Sequence, residues 1–164
     1  MSLFTISSCS WLNEDDKFAL EKRPYLGTKL RFDGYYYEVL SNGNWYVLFL
    51  YRNGIVRVMF SFPPNELEEK EEQFRNKAWL ESATGKIDWG VFQIDSNKIV
   101  YEIWCPSDGG GLPVYTGYGE IINGSTFHIS RSQRVDGSDA KVRDELFHFR
   151  QFSPKPDSVT EFIP

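Results

Sequence analysis

From Leu30 to Phe152 the chain is cut into short apolar segments by turn residues at nearly regular spacing, and few folds accept that pattern. The segments are Leu30–Val39, Trp45–Arg52, Ile55–Phe62, Ile87–Ile94, Lys98–Cys105, Val114–Ile122, Ser125–Ser132 and Glu145–Phe152. Between them stand Ser41-Asn42-Gly43-Asn44, Asn53-Gly54, Asp95-Ser96-Asn97, the glycine-rich stretch 107–112, Asn123-Gly124 and Val135-Asp136-Gly137-Ser138. Asn53-Gly54 predicts a tight primed hairpin turn with both residues at positive φ. The expected fold is therefore mostly β: an eight-stranded antiparallel up-and-down barrel, since closing the sheet removes its edges. A two-sheet sandwich has the same periodicity and is the alternative.

One helix interrupts the series between strands 3 and 4. Pro63-Pro64 ends the third strand, and Asn65 with Glu68 three residues on has the form of a capping box. Glutamates at 66, 68, 69, 71 and 72 suit the positive end of a helix dipole and read as a solvated face. Leu67, Phe74 and Ala78 recur at helical spacing and would dock the helix, with Gly85 as its stop. Trp45–Tyr51 is apolar on both faces, so its outer side needs a cover, and the helix is the candidate.

Thirteen Phe, nine Tyr and five Trp exceed what a small core needs, which suits a β-rich core or an aromatic-lined cavity. Alternation places Val56, Val58, Phe60 and Phe62 on one face, Ile99, Tyr101, Ile103 and Cys105 on another, and Phe127, Ile129 and Arg131 on a third. The barrel-interior residues expected to line a ligand site are Tyr36, Val58, Phe60, Tyr101, Ile103, Tyr118, Phe127 and Phe149. Gly117 and Gly119 flank Tyr118 and mark a bulge or a close approach, and a filled, bent barrel wall is the competing explanation. Glu102 has the opposite parity to Tyr101 and Ile103 and is expected outside.

A formal charge of -5 supplies no footprint for a phosphate backbone, so no nucleic-acid partner is expected. Asp108-Gly109-Gly110-Gly111 precedes a strand rather than a helix and reads as a loop, not a phosphate cradle. His128 and His148 lack a carboxylate at metal spacing, and Cys105 has no nucleophile context, so no metal, cofactor or catalytic residue is assigned. An enzyme built at the barrel mouth around His128, His148 or Glu120 is the weakest of the functional alternatives.

Ile6-Ser7-Ser8-Cys9 has the form of a bacterial lipobox, in which Cys9 would carry a lipid anchor and Met1–Thr5 would end an apolar signal segment. A chance cysteine in an irregular terminus is the other reading. Residues 1–29 are thus expected to be a signal remnant and tether, 30–153 the barrel domain and 154–164 a tail.

The segments Leu30–Tyr37, Phe49–Gly54, Trp89–Phe92 and Phe149–Ser158 resemble those of a group of small lipocalin-like, calycin-type bacterial envelope lipoproteins. The resemblance implies a barrel fold and a membrane-anchored address in the cell envelope. It brings no activity with it. Gly34-x-Tyr36 stands where true lipocalins carry Gly-x-Trp, and their long helix follows the last barrel strand. The function expected is a non-enzymatic binding module holding a small apolar or amphipathic ligand in the barrel. The alternative is a packed barrel that serves protein interaction.

Overall fold

The computed structural model describes residues 16–76, 85–106 and 111–164, with Phe60 described by its backbone alone. Among them the strands run in chain order as β1 (Gly34–Val39), β2 (Trp45–Leu50), β3 (Ile55–Phe62), β4 (Trp89–Asp95), β5 (Lys98–Trp104), β6 (Val114–Asn123), β7 (Thr126–Arg134) and β8 (Lys141–Gln151). Each pairs antiparallel with the next, and β8 returns to β1 through Tyr36↔Phe149 and Gly34↔Gln151. The sheet closes into the expected eight-stranded barrel, and the sandwich is excluded. At Asn53-Gly54 only Gly54 takes positive φ, at 88°, so the turn is a longer one closed by glycine rather than the primed pair.

Two apolar clusters sit on either side of the barrel wall. The inner one draws on all eight strands, with Tyr36, Leu48, Leu50, Val56, Phe92, Ile99, Tyr101, Ile121, Phe127 and Phe147. The outer one packs Tyr35, Val47, Phe49, Met59, Val91, Trp104 and Val114 beneath segments that lie outside the barrel. A double-faced strand such as β2 is stable only because both of its faces are covered.

The cover comes from three places. A 3-10 turn at Pro64–Glu66 leads into α1 (Leu67–Arg75), which puts Phe74 against Tyr35, Phe49, Phe62 and Phe152. Neither the turn nor the helix has a side-chain cap, so the expected capping box is not what starts it. Glu71 departs from the solvated face: it accepts from the Tyr35 hydroxyl at 2.9 Å and from Arg150 at 2.8 Å, locking helix to barrel. Ala78 lies outside the described residues. The C-terminal segment adds Phe162 and Ile163 to the same cluster.

The third cover corrects the tether expected over residues 10–29 across its described part, 16–29. Residues 16–33 are strapped to the barrel. Asp16 donates from its amide to the Leu112 carbonyl, and the Trp104 indole donates to the Asp16 carbonyl at 2.8 Å. Ala19 and Leu20 donate from their amides to one oxygen of Glu102 at 2.7 and 2.9 Å, and Thr116 donates to the other at 3.3 Å. Glu102 is outside the barrel, as parity predicts, yet only 3 % exposed, because the strap runs over it. The strap then crosses one end of the barrel, where Tyr25 donates to Arg52, Arg31 donates to Gly124 and Leu30 plugs the interior. That end is closed.

Register shifts break strict alternation at several points, and two regions change which expected residues face inward. On β7, Ser130 is an extra residue against β6, where Ile129 pairs with Gly119 but Arg131 with Tyr118; against β8 the extra residue is on β8, since Ile129 pairs with Glu145 and Arg131 with Val142. Arg131 therefore turns outward, against the expectation that it shares the face of Ile129, and Ser132 turns inward opposite Gly117. On β2–β3, Trp45 pairs with Phe62 while Val47 pairs with Met59, which moves Phe62 into the outer cluster rather than the barrel interior.

Candidate functional site

The strap seals the end of the barrel where β1 and β7 begin. The other end is the mouth, reached by the last residues of β1 and β5 and the first of β2 and β8. Continuing the inner parity of each strand upward brings polar groups into that mouth. Beyond Tyr36 on β1 comes Glu38, and its partner across the ladder is Tyr46 on β2. Beyond Ile103 on β5 comes Cys105, with Tyr101 below it. On β8, Glu145 pairs with the inward Ile129, and Arg143 donates to the inward Ser132 at 2.7 Å. Asp88, just ahead of β4, stands at the rim with φ 71°.

Glu38 and Glu145 lie on neighbouring strands, Glu145 diagonal to Glu38 given Tyr36↔Phe149. Diagonal positions on one face of an antiparallel pair are about 7 Å apart at Cα, within mutual reach of long side chains. Burial and then the Glu145 charge push the Glu38 carboxyl up to about 7. Burial raises Glu145 as well, with Arg143 opposing at 3.4 Å, and raises Asp88 to about 6. The Cys105 thiol is pushed up to about 11, chiefly by burial, and remains a neutral free thiol. Burial first raises both Tyr46 and Tyr101; next come Tyr101 and Cys105 for Tyr46, and Glu145 for Tyr101.

Tyr101 is the most informative group. It is 9 % exposed, and its hydroxyl makes no hydrogen bond to the protein among the described residues. Its ring lies across Gly117: a Cβ there would stand 2.5 Å from Cζ and 2.8 Å from the hydroxyl oxygen. The glycine in β6 thus makes room for a phenol inside the barrel. The hydroxyl oxygen is not among the buried side-chain atoms that lack a partner (Tyr51 Oη, Gln73 Oε1 and Arg134 Nε among the described residues), so it is not sealed in by protein and is open to water or a ligand.

The interior is divided. Below the polar ring it is filled by rings: Phe127 stacks on Phe147 at 4.8 Å, Tyr36 meets Phe127 at 5.1 Å, and Tyr36 meets Phe149 at 5.3 Å. The Tyr36 hydroxyl is already committed, donating to the Arg31 carbonyl at 3.1 Å and accepting from the Arg31 amide at 3.0 Å. Tyr36, Phe127 and Phe149 therefore belong to the plugged half, where Arg31 lies over the Phe149 ring at 4.2 Å. Val58 and Ile103 line the interior and are buried. Tyr118 is a correction: it pairs with Val100 and Arg131, faces outward, and carries the Arg131 guanidinium on its ring at 4.4 Å. The side chain of Phe60 and the lipobox at Cys9 lie outside the described residues.

His128, His148 and Glu120 are on the outer wall, away from the mouth. His128 pairs with Glu120 and Leu146 in register, and its ring nitrogen contacts the exposed Asp144 at 2.8 Å. Among the described residues, no group of three or more His, Cys, Asp or Glu stands close enough to hold a metal ion.

A concavity of about 710 Å³ opens at the closed end between the strap and the C-terminal segment. Lys155 fills its floor, donating to the carbonyls of Leu50 at 2.7 Å and Phe32 at 3.0 Å, with its ammonium 4.4 Å from the Tyr51 ring centre. Burial depresses this lysine to about 8. These contacts tie the tail to the barrel.

Glu38, Tyr46, Arg143 and Glu145 were not among the residues expected at the site. The signal was present: Glu38 shares parity with Tyr36, and Glu145 with Phe147, so each is a polar residue on an otherwise inward face. Compared with protein-family models, with curated protein sequences and with solved structures, the chain matches none.

Proposed function

We propose that the protein is a non-enzymatic binding protein whose barrel admits one small amphipathic molecule through its mouth. The apolar part enters beside Val58, Tyr101 and Ile103, and the polar end stays among Glu38, Tyr46, Arg143 and Glu145. The observation that carries this reading is the Tyr101 hydroxyl inside the wall, which has no protein partner among the described residues and is not among the sealed, unpartnered atoms, so water or a guest can reach it. The aromatic packing of the lower half favours a small guest. The upper half is where carboxyl, phenol and guanidinium groups converge on the interior.

The address proposed is the bacterial cell envelope, with Cys9 as lipid anchor. It rests on Ile6-Ser7-Ser8-Cys9 and on the resemblance to lipocalin-like envelope proteins. Expressed from its gene with the upstream codons, the protein should take up a clickable palmitate analogue. Equal labelling of Cys9→Ala refutes the anchor.

Titration with Nile red tests the binding reading. Saturable uptake at one probe per chain, with a blue-shifted emission, is the expected result. Native mass spectra free of adducts together with no saturable uptake would overturn it and leave the packed interaction module as the better account.

A further inference from the structure

We propose that the mouth selects a cationic head, so that the guest is a small arylalkyl or alkyl amine in its protonated form, held by Glu38 and Glu145 beside Tyr46 and Tyr101. The proposal rests on the binding reading above and adds the chemistry of the head. It follows from an inventory of every element facing the mouth. β1 contributes Glu38, β2 Tyr46, the residue ahead of β4 Asp88, β5 Tyr101 and Cys105, β7 Ser132, and β8 Arg143 and Glu145. Glu38 and Glu145 thus face the Arg143 guanidinium, while Asp88 at the rim is also within the field of Arg57 on β3.

The guanidinium is already engaged. Arg143 donates to Ser132 at 2.7 Å and pairs with Glu145 at 3.4 Å. Glu38, by contrast, has neither an ion pair nor a hydrogen-bond donor among the described residues, although its carboxyl is half-buried within the wall. A carboxylate in that position is poorly solvated and repelled by Glu145, so the missing partner is a positive charge. The two phenols strengthen the case. Their ring faces attract cations, and the free Tyr101 hydroxyl can accept a hydrogen bond from an ammonium N–H. An anionic head would meet two carboxylates and is disfavoured. A neutral hydroxyl would gain a hydrogen bond but leave the charge uncompensated.

The geometry also limits the tail. Rings of Phe127, Phe147, Phe149 and Tyr36 already occupy the lower barrel, so the guest's apolar part reaches only the level of Tyr101 and Val58. That favours a phenylethyl-sized group over a long acyl chain.

The experiment compares three probes with one phenylethyl group and different heads: 2-phenylethylamine, 2-phenylethanol and 3-phenylpropanoate. Each is titrated calorimetrically at pH 8 into the full chain and used to displace Nile red. The amine should bind tightest, by about tenfold or more over the alcohol, as a charge-assisted hydrogen bond implies. The carboxylate should bind least. Glu38→Gln and Glu145→Gln should each shrink the amine's advantage over the alcohol measured in the same variant. An alcohol equal to the amine, a preferred carboxylate, or an amine advantage unchanged in both variants overturns the cation reading and leaves the binding reading standing. Nile red uptake with none of the three displacing it also counts against the cation reading. Failure of Nile red itself overturns both.

Discussion

Glu38→Gln separates a residue kept for binding from one kept for stability, because the two roles predict opposite signs. Burial and the Glu145 charge raise the Glu38 carboxyl from 4.5 to about 7 in the folded barrel. Between those pH values the folded chain holds a proton that the unfolded chain has released. Stability from this group is therefore fully present below pH 4.5 and is lost as pH rises through 7. Unscreened, the rise corresponds to about 3 kcal/mol. The side chain is half-buried, and solvent screening brings the figure to about 1 kcal/mol. Glutamine keeps the shape and removes the charge, so Glu38→Gln should equal the parent at pH 4 and exceed it by about 1 kcal/mol at pH 8. Urea melts at pH 4, 6 and 8 measure this directly. The difference between the two proteins isolates Glu38, since Glu145 and Asp88 are also raised. A variant less stable than the parent at pH 8, or an unchanged pH slope, would show that Glu38 has a partner in the fold and would refute the reasoning. A variant that gains stability while losing amine affinity is the signature of a binding residue held at a cost.

Three further outcomes follow from contacts elsewhere. Glu102→Ala removes the acceptor for the Ala19 and Leu20 amides; it should cost about 3 kcal/mol, with hydrogen exchange accelerating in residues 16–24 well before global unfolding. Uniform protection of that segment in the variant would refute the latch. Gly117→Ala places a methyl against the Tyr101 ring; it should cost about 1–3 kcal/mol and weaken Nile red, and unaltered affinity would place the guest away from Tyr101. Burial lowers Lys155 from 10.5 to about 8; the unfolded chain then holds the proton that the folded one loses, so this group adds stability as pH rises from 8 to 10.5. Lys155→Met should flatten that rise in chemical denaturation, and a parallel slope in the variant would contradict it.

The site was only partly legible beforehand. Tyr101, Val58 and Ile103 could be placed inside by alternation, which is a purely local property of a strand. Tyr118 was misplaced even though its neighbours argued otherwise: Gly117 and Gly119 take the inward positions, so the residue between them must face out. Arg131 and Phe62 were misplaced for a different reason. Each lies past a bulge, and one extra residue reverses the face of everything after it. Nothing in the sequence around Ser130 announces that insertion.

By itself, the amino-acid sequence determined the strands, their hairpin order, the helix between β3 and β4, and the need for a cover over β2. These follow from turn residues and from periods of 2 and 3.6, which act over a few neighbours. Tertiary structure alone decided that residues 16–33 strap the outer wall, that Glu102 is buried there, and that Glu38 meets Glu145. Those contacts join positions far apart in the chain, as Ala19 and Glu102 do across 83 residues. Such pairings are set by closure of the barrel and the shear between strands, which no local pattern carries. The mouth, and any guest it holds, is a product of that closure.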